Sequence, residues 1–188
     1  MSDEDLAVIA VIHSVEHSYG ECIISLYGGR FPRHRSKGRR ANTAPIDIHK
    51  RIAYILDAYY NDPQDVRALI RLGNIQYLGM TPVDNGEQHK AINGIIKSGY
   101  EQQTINGTLI CTQSISTAFP NICNYKSVAF DSFDKLIEEC NICEYKNLYI
   151  YDLETHIWYY VDLEEDPQPV LRHLPPMRSL LENYYLHN

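Results

Sequence analysis

The chain has 188 residues, of which 44% are apolar and 22% are charged. These values are ordinary for a globular protein with a buried core, and they exclude a wholly disordered, collagen-like or fibrous chain. No stretch approaches the roughly eighteen uninterrupted apolar residues of a membrane-spanning helix, so none is predicted. Residues 1–5 are acidic where a secretory signal is basic, and five cysteines without such a signal are typical of reduced thiols. We therefore expect a cytoplasmic protein with no membrane partner.

Charge is distributed unevenly along the chain. The net charge is −7, from 17 Lys and Arg against 24 Asp and Glu. Six of the cations fall within residues 30–40, which contain no acid, and without them 11 cations face 24 acids, a balance of −13. Residues 131–166 hold eleven acids against Lys135 and Lys146. Such a chain is unsuited to coating DNA, because phosphate repels most of it, and its basic segment favours a local anion site.

The N-terminal part contains a predicted β-hairpin. Residues 6–13 and 21–27 are rich in Ile and Val and flank Ser18-Tyr19-Gly20, which is typical of two paired strands. A helix over residues 3–18 that ends at Gly20 is the competing interpretation. Residues 28–42 then form a predicted basic loop, since this segment has two adjacent glycines, a proline and almost no aliphatic side chain.

Two helices are predicted next. Apolar residues at helical spacing predict an amphipathic helix over residues 46–60, and they are Ile48, Ile52, Ile55, Leu56 and Tyr59. Asp62 and Pro63 predict the N-cap and first residue of a second helix, because that position needs no amide hydrogen. Gly73 predicts its left-handed C-terminal end. The side chains that this helix is expected to bury are Val66, Leu69 and Ile70.

The second half combines one strand, one short helix and a second hairpin. The polar residues 80–127 contain three Asn-Gly turn dipeptides and a predicted strand over 108–115. Asp131 and Ser132 predict the cap of a short helix, one face of which holds Phe133, Leu136, Ile137 and Cys140. Residues 148–152 and 156–163 predict a hairpin with its turn at 153–155, and their aromatic side chains are typical of a covered sheet face.

These elements together predict an α+β fold. Residues 1–166 form the predicted single domain, with the basic loop inside it. Residues 167–188 are predicted to be a Pro-rich linker, 167–176, and an amphipathic helix that docks on the body or on another subunit. We therefore expect a homo-oligomer.

Two short motifs can each be interpreted either as a metal site or as ordinary structural residues. Residues 13–17 match the H-x-x-E-H pattern of one class of zinc peptidases, which requires a helix and a distant third ligand. On a strand, His13 and His17 would lie about 13 Å apart, too far for one ion, at a solvated hairpin end. Cys140 and Cys143 have zinc spacing but lack a second pair, and the alternative is a buried Cys140 with Cys143 in a loop.

The basic segment is the most informative functional feature. No Gly-x-Ser-x-Gly, local cysteine signature or phosphate-cradling glycine loop occurs, so we expect no enzyme, no catalytic residue and no cofactor. An unrecognised enzyme that uses a metal or a thiol is the alternative. Arginine forks bind phosphate oxygens in pairs, and aromatic rings stack on bases. A solvated insertion is the alternative interpretation of this segment. The predicted ligand-binding residues are Tyr27, Arg30, Phe31, Arg33, Arg35, Lys37, Arg39 and Arg40.

Two stretches of the sequence, covering about half the chain, form recognisable motifs. The first is Leu-Asp-Ala-Tyr-Tyr-Asn-Asp-Pro at 56–63, which continues through 66–70 and 72–75 to 78–79. The second runs from 130–133 through 136–139 to 149–152 and 158–160. Both resemble a widespread family of small phage and prophage proteins. The family's members usually begin with a β-hairpin and a Trp-Asp-Gly-Tyr-Pro segment, and Gly-Gly-Arg-Phe-Pro at 28–32 occupies the corresponding place. The Arg-rich stretch that follows resembles an insertion, and the family's Arg-Asp-Arg-Gly-like segment is absent here.

The resemblance implies an N-terminal hairpin and a phage origin. By analogy with viral oligomers that sequester the cyclic nucleotide signals of bacterial immunity, we expect a non-enzymatic counter-defence protein that binds a cyclic oligonucleotide. One alternative is an inhibitor of a host defence protein, whose acidic second half imitates nucleic acid. Another is a nucleic-acid-binding phage protein that uses the basic loop, with affinity that falls steeply with salt.

Overall fold

The protein is described from a computed structural model, which covers residues 7–28, 48–80, 100–105, 108–113, 126–145, 147–163 and 170–174. Within these ranges the fold is α+β, as predicted. The helices are α1 (Ile48–Tyr59), α2 (Pro63–Arg71) and α3 (Phe133–Ile142). The strands are β1 (Ala7–Ile12), β2 (Gly20–Gly28), β3 (Ile75–Met80), β4 (Tyr100–Ile105), β5 (Thr108–Gln113), β6 (Val128–Phe130), β7 (Asn147–Asp152), β8 (Ile157–Asp162) and β9 (Arg172–His173).

One mixed sheet organises the molecule. Its strands follow in the order β4-β5-β3-β2-β1-β7-β8-β9, and β6 pairs with β2 off this path. β1 is antiparallel to β2 and parallel to β7, while β2 is parallel to β3. β1 occupies one side of β2, and on the other side β6 pairs with residues 20–22 and β3 with residues 25, 27 and 28.

The N-terminal hairpin is confirmed. β1 and β2 pair antiparallel over six positions, from Ala7 opposite Ser25 to Ile12 opposite Gly20. All six residues of β1 are buried, as expected of a central strand that is covered on both faces. The competing helix over 3–18 is wrong wherever the structure describes that range, because a run of apolar residues without a polar face suits a buried strand.

Successive residues of β1 face two different cores. The odd-numbered residues pack with α1 and α2, and the even-numbered residues pack with α3. This division follows from the two-residue period of a strand, which points neighbouring side chains to opposite faces. The sheet is therefore a middle layer, with the helix pair α1–α2 on one face and α3 on the other.

The predicted ends of α2 are confirmed. The Asp62 carboxylate accepts a hydrogen bond from the Gln64 amide at 2.8 Å, Pro63 opens the helix, and Gly73 follows its end with φ of 77°. The predicted side chains Val66, Leu69 and Ile70 are buried. The first helix is also confirmed, as α1, although the residues 46–47 expected to start it lie outside the described residues.

The short helix and the second hairpin are confirmed as well. Ser132 caps α3 by accepting a hydrogen bond from the Lys135 amide at 3.3 Å, and the helix buries Leu136, Ile137 and Cys140. β7 and β8 pair antiparallel, from Asn147 opposite Asp162 to Asp152 opposite Ile157. Their aromatic residues divide between the two cores, as the alternation of a strand requires.

Four strands were not predicted from the sequence. The predicted strand at 108–115 is confirmed as β5, but β3 and β4 pair with its two sides. Ile105 lies opposite Thr108, which is the register that a two-residue Asn-Gly turn would give, and that dipeptide itself lies outside the described residues. The strands β6 and β9 are three and two residues long, too short for any alternation to be read.

Several predicted segments lie outside the described residues. They are most of the basic loop, from residue 29 to residue 42, and the C-terminal helix. Inside the segment interpreted as a linker, Arg172 and His173 pair with β8, so this part of 167–176 belongs to the sheet. Among the described helices none is long and apolar enough to span a membrane.

Gly20 is a position where a side chain cannot be added. A Cβ there would lie 1.7 Å from the carbonyl oxygen of Val11 in the paired strand. We expect Gly20→Ala to lower the free energy of unfolding by about 3 kcal/mol, the upper end of the usual cost of overpacking, because the clash is with backbone that is fixed by the sheet. Urea denaturation measures the effect. Glu21→Ala, at an exposed neighbour in the same strand, is the control, and equal stability of the two variants would contradict the account.

Candidate functional site

The basic segment lies in the connection between a strand and a helix. The parallel strands β2 and β3 are joined through α1 and α2. β2 ends at Gly28 and α1 begins at Ile48, so the six cations at 30–40 follow the carboxyl end of a strand and precede the amino end of a helix. In parallel α/β units this position binds phosphate, because strand carboxyl ends and helix amino ends meet there.

The carboxyl ends of β2 and β3 form one edge of the sheet, here called the β2–β3 edge. Gly28 pairs with Leu78, and Met80, the last residue of β3, lies opposite Thr108, the first residue of β5. The three chain segments that leave this edge begin at residues 29, 81 and 106. The basic segment therefore begins at the β2–β3 edge.

Tyr60 reaches the β2–β3 edge from the corner between α1 and α2. Its hydroxyl and that of Thr108 share a buried hydrogen bond of 2.5 Å. Burial raises the pKa of Tyr60 to about 12, an effect that the hydrogen bond to Thr108 opposes in part. Since Thr108 sits opposite the last residue of β3, this bond holds the α1–α2 corner in register with the edge.

The carbonyl groups at the same corner are held by two aromatic side chains. The indole Nε1 of Trp158 donates a hydrogen bond to the Tyr60 carbonyl at 2.7 Å, and the Tyr151 hydroxyl donates one to the Asn61 carbonyl at 2.6 Å. Carbonyls at a helix C-terminus have no partner within the helix, so these donors satisfy groups that would be costly to bury alone. The Tyr151 and Trp158 rings meet edge to face with centroids 5.1 Å apart.

Of the eight predicted ligand-binding residues, Tyr27 alone lies within the described part of the chain. Tyr27 lies in β2, where its backbone pairs with Tyr77 at the β2–β3 edge. The other predicted residues lie outside the described residues, and they are Arg30, Phe31, Arg33, Arg35, Lys37, Arg39 and Arg40. Their grouping in space therefore stays a prediction, while the strand end and helix start between which they lie are defined.

A second cluster of polar and aromatic residues lies at the other end of the sheet. β1 and β7 are parallel and end together, with Ile12 opposite Asp152. Residues 13–19 follow β1, and here they are called the histidine loop. The His13 ring stacks on the Tyr19 ring with centroids 5.5 Å apart and planes 7° apart, and the His17 ring lies 6.1 Å from that of His13.

The buried carboxylate of Asp152 fixes this loop to the turn between β7 and β8. One oxygen accepts a hydrogen bond from the Val15 amide at 3.2 Å, and the other accepts bonds from the amides of Glu154 and Thr155 at 2.8 and 3.1 Å. The Asp152 side chain is 1% exposed. A carboxylate that replaces water with three amide donors orders both loops at once.

The separation of about 13 Å that a strand would give His13 and His17 does not apply, because β1 ends at Ile12 and the chain folds back. The predicted solvated hairpin end is confirmed, since both histidine side chains are exposed there. Backbone hydrogen bonds close this reversal, from the His13 amide to the Tyr19 carbonyl and from the Ser14 amide to the His17 carbonyl, both at 3.1 Å. The helix that the zinc-peptidase pattern requires is not formed either, so residues 13–17 do not have that motif's geometry.

Cys140 and Cys143 have the structural roles that were predicted as the alternative to zinc binding. Cys140 is buried in α3, and Cys143 is exposed at the end of the helix. Burial raises the pKa of Cys140 to about 12, and burial with the nearby Glu139 raises that of the half-buried Cys22 to about 11. Over the described part of the chain, no three His, Cys, Asp or Glu side chains form a group that could hold a metal ion.

Comparison with known proteins gives no relative for this chain. No family model, no curated protein and no solved structure matches it.

Tyr60→Phe is expected to destabilise the protein by about 1–2 kcal/mol, because it removes a buried hydrogen bond to Thr108. A double-mutant cycle with Thr108→Val, followed by urea denaturation, is expected to give a coupling energy of about 1 kcal/mol. The control cycle pairs Tyr151→Phe with Thr108→Val, since Tyr151 bonds instead to the Asn61 carbonyl. Coupling of similar size in both cycles would contradict a direct Tyr60–Thr108 bond.

Cys143 is expected to react with iodoacetamide at pH 8 much faster than Cys140. The thiolate is the reactive form, and a pKa of about 12 leaves Cys140 almost wholly protonated at that pH. Mass spectrometry of the two peptides after timed labelling measures the difference, and labelling in denaturant, where both sites react alike, is the control. Equal rates in the folded protein would show that Cys140 is not buried as described.

Proposed function

We propose that this chain is a non-enzymatic binding protein that takes a phosphate-bearing nucleotide, and specifically a cyclic oligonucleotide, out of solution. The observation that carries the proposal is the position of its basic segment. Six cations lie within residues 30–40, a stretch without an acid, between the carboxyl end of β2 and the amino end of α1 in a chain that is otherwise acidic. Positive charge concentrated at this one connection fits a small anion better than a long polyanion.

The start of α1 supports the same assignment. The amino end of a helix carries partial positive charge, which acidic residues in the first turn usually balance. The first turn of α1 contains no acidic residue, and the sequence has Lys50 and Arg51 there. An incoming phosphate would add negative charge at this helix end, where the sequence has Asp47 directly before Ile48, and this is the chemistry of anion sites at helix amino ends.

The proposal assigns separate tasks to the residues of the basic segment. The arginines Arg30, Arg33, Arg35, Arg39 and Arg40, with Lys37, neutralise the phosphates. Tyr27 and Phe31 stack on the bases, because every base has an aromatic face. Tyr27 belongs to β2, where its backbone pairs with β3 at the β2–β3 edge.

Sequestration is the biological role that we assign to this binding. The resemblance to phage proteins supports a counter-defence function in the cytoplasm of the host cell, where the signal is held rather than destroyed. We further propose a homo-oligomer, in which two chains supply opposite walls of the pocket. The amount of protein then sets the amount of signal that it removes.

An inhibitor that binds a host defence protein is a second candidate, favoured by the outward face of α3. Lys135 on this face is paired with Glu138 at 2.8 Å, so it leaves little positive charge there. The exposed acidic residues on and beside this helix are Asp131, Asp134, Glu138, Glu139 and Glu144. Such a surface resembles the charge of nucleic acid. A pulldown from host lysate that recovers a partner only from low salt, and loses it when these acids are neutralised, would favour this candidate.

A thermal-shift panel at physiological salt tests the leading proposal. The panel contains cyclic di- and trinucleotides, linear mononucleotides, ADP-ribose and short single-stranded DNA. A ligand at a hundred times its Kd adds about 2.7 kcal/mol of apparent stability. For a chain of this size that is a rise of about 5–10 °C in the unfolding temperature. The ligand should be recovered intact, since the proposal is binding without turnover.

Charge-neutralised variants locate the site. Arg30, Arg33 and Arg35 changed together to Gln should abolish the shift given by the cyclic nucleotide. The matched control, Arg67→Gln with Arg71→Gln and Lys126→Gln, removes the same charge from exposed residues elsewhere and should leave the shift unchanged. A shift that survives the first variant would overturn the site. A shift confined to single-stranded DNA, with steep salt dependence, would favour nucleic-acid binding.

A further inference from the structure

The histidine loop brings two imidazoles together for which the proposed function has no use. The ring centroids of His13 and His17 are 6.1 Å apart, with planes inclined at 47°. Both side chains are exposed. Two imidazoles that share one ion through metal–nitrogen bonds of about 2.0–2.1 Å have centroids about 4.5–5.2 Å apart at a right-angled or tetrahedral site. The observed spacing is about 1 Å longer, so the two rings must rotate toward each other about their side-chain torsions to share one ion.

Buried polar groups hold the backbone of this loop in place. The Ser14 hydroxyl, on a side chain that is 2% exposed, accepts a hydrogen bond from the His17 amide at 3.0 Å. Asp152 accepts one from the Val15 amide, the residue midway between the two histidines. Because these bonds fix the two Cα positions, the two rings are paired before any ligand arrives, and little conformational entropy is lost on binding.

The orientation of the His13 ring is also set in advance. Its parallel stack on Tyr19 covers the ring face and leaves the edge, where both nitrogens lie, open. Among the described residues we find no hydrogen bond to the imidazole of either histidine. The nitrogens are therefore available to an external partner in this part of the structure.

We propose that His13 and His17 form a two-imidazole binding site for a divalent transition cation. Imidazole suits zinc, nickel and copper, whereas magnesium and calcium take oxygen ligands. Since no third ligand group completes a cluster among the described residues, the remaining coordination positions are open to water or to a small external ligand. The site is consequently weaker than a structural zinc site, and copper binds it more tightly than nickel or zinc.

Nickel titration of the full chain tests the site. We expect added Ni²⁺, which is paramagnetic, to broaden the amide NMR signals of residues 13–19 before any others. Calorimetry should show one such site with micromolar affinity. His17→Gln should weaken nickel binding at least about tenfold. Loss of a group that only hydrogen-bonds to a metal ligand already costs about 10–100-fold in affinity, and loss of the ligand itself should cost no less. His13→Gln should do the same, and the unfolding temperatures of both variants check that the fold is kept.

His173→Gln is the matched control. His173 is also exposed and also lies against a tyrosine, with its ring centroid 4.9 Å from that of Tyr159. It has no second imidazole beside it among the described residues, so its loss should leave nickel binding at the histidine loop unchanged. Binding of wild-type strength in folded His17→Gln, or broadening that begins outside residues 13–19, would overturn the proposal.

Discussion

Tyr60 is hydrogen-bonded through its side-chain hydroxyl and its backbone carbonyl to two strands that are far apart in the order of the sheet. Its hydroxyl shares a hydrogen bond with Thr108 of β5, and its carbonyl accepts one from Trp158 of β8. Four strands separate β5 from β8, so a flat sheet with a spacing of about 4.8 Å would hold them about 24 Å apart. Tyr60 bridges this span together with the Trp158 and Thr108 side chains, which requires a twisted rather than a flat sheet. The corner between α1 and α2 therefore connects the two sides of the sheet.

The strand directions also matter for function, because they give the sheet two distinct carboxyl edges. β1 is antiparallel to β2, so the end shared by β2 and β3 and the end shared by β1 and β7 lie on opposite sides of the molecule. The basic segment leaves from the first, and the histidine loop lies at the second. A cationic segment for phosphate would repel a cation bound by an imidazole pair, and the described strand ends at which the two segments begin, Gly28 and Ile12, lie at opposite ends of the paired strands.

The sequence was most informative where one residue had one physical reason for its place. Asp62, Pro63 and Gly73 act through local backbone chemistry, and they define α2 without reference to the rest of the chain. The buried runs of β1 and β7 were equally clear. β3 and β4 were missed because Gly79 interrupts one and polar residues fill the other, so only pairing with β5 identifies them as strands. The pairing of His13 with His17 needed the chain reversal after Ile12, which depends on Asp152, 137 residues away from Val15. Long-range contacts of this kind have no local signal.

Amide hydrogen exchange measured with and without bound cyclic nucleotide tests the central claim, that the ligand sits on the β2–β3 edge. The probe is the cyclic nucleotide that gives the largest thermal shift, at saturating concentration and physiological salt. The account predicts slower exchange at residues 27–28, at the start of α1 over 48–51 and at the end of β3 over 78–80, with no change at residues 13–17. Protection that maps to the histidine loop or to α3, and leaves these three segments unchanged, would contradict it.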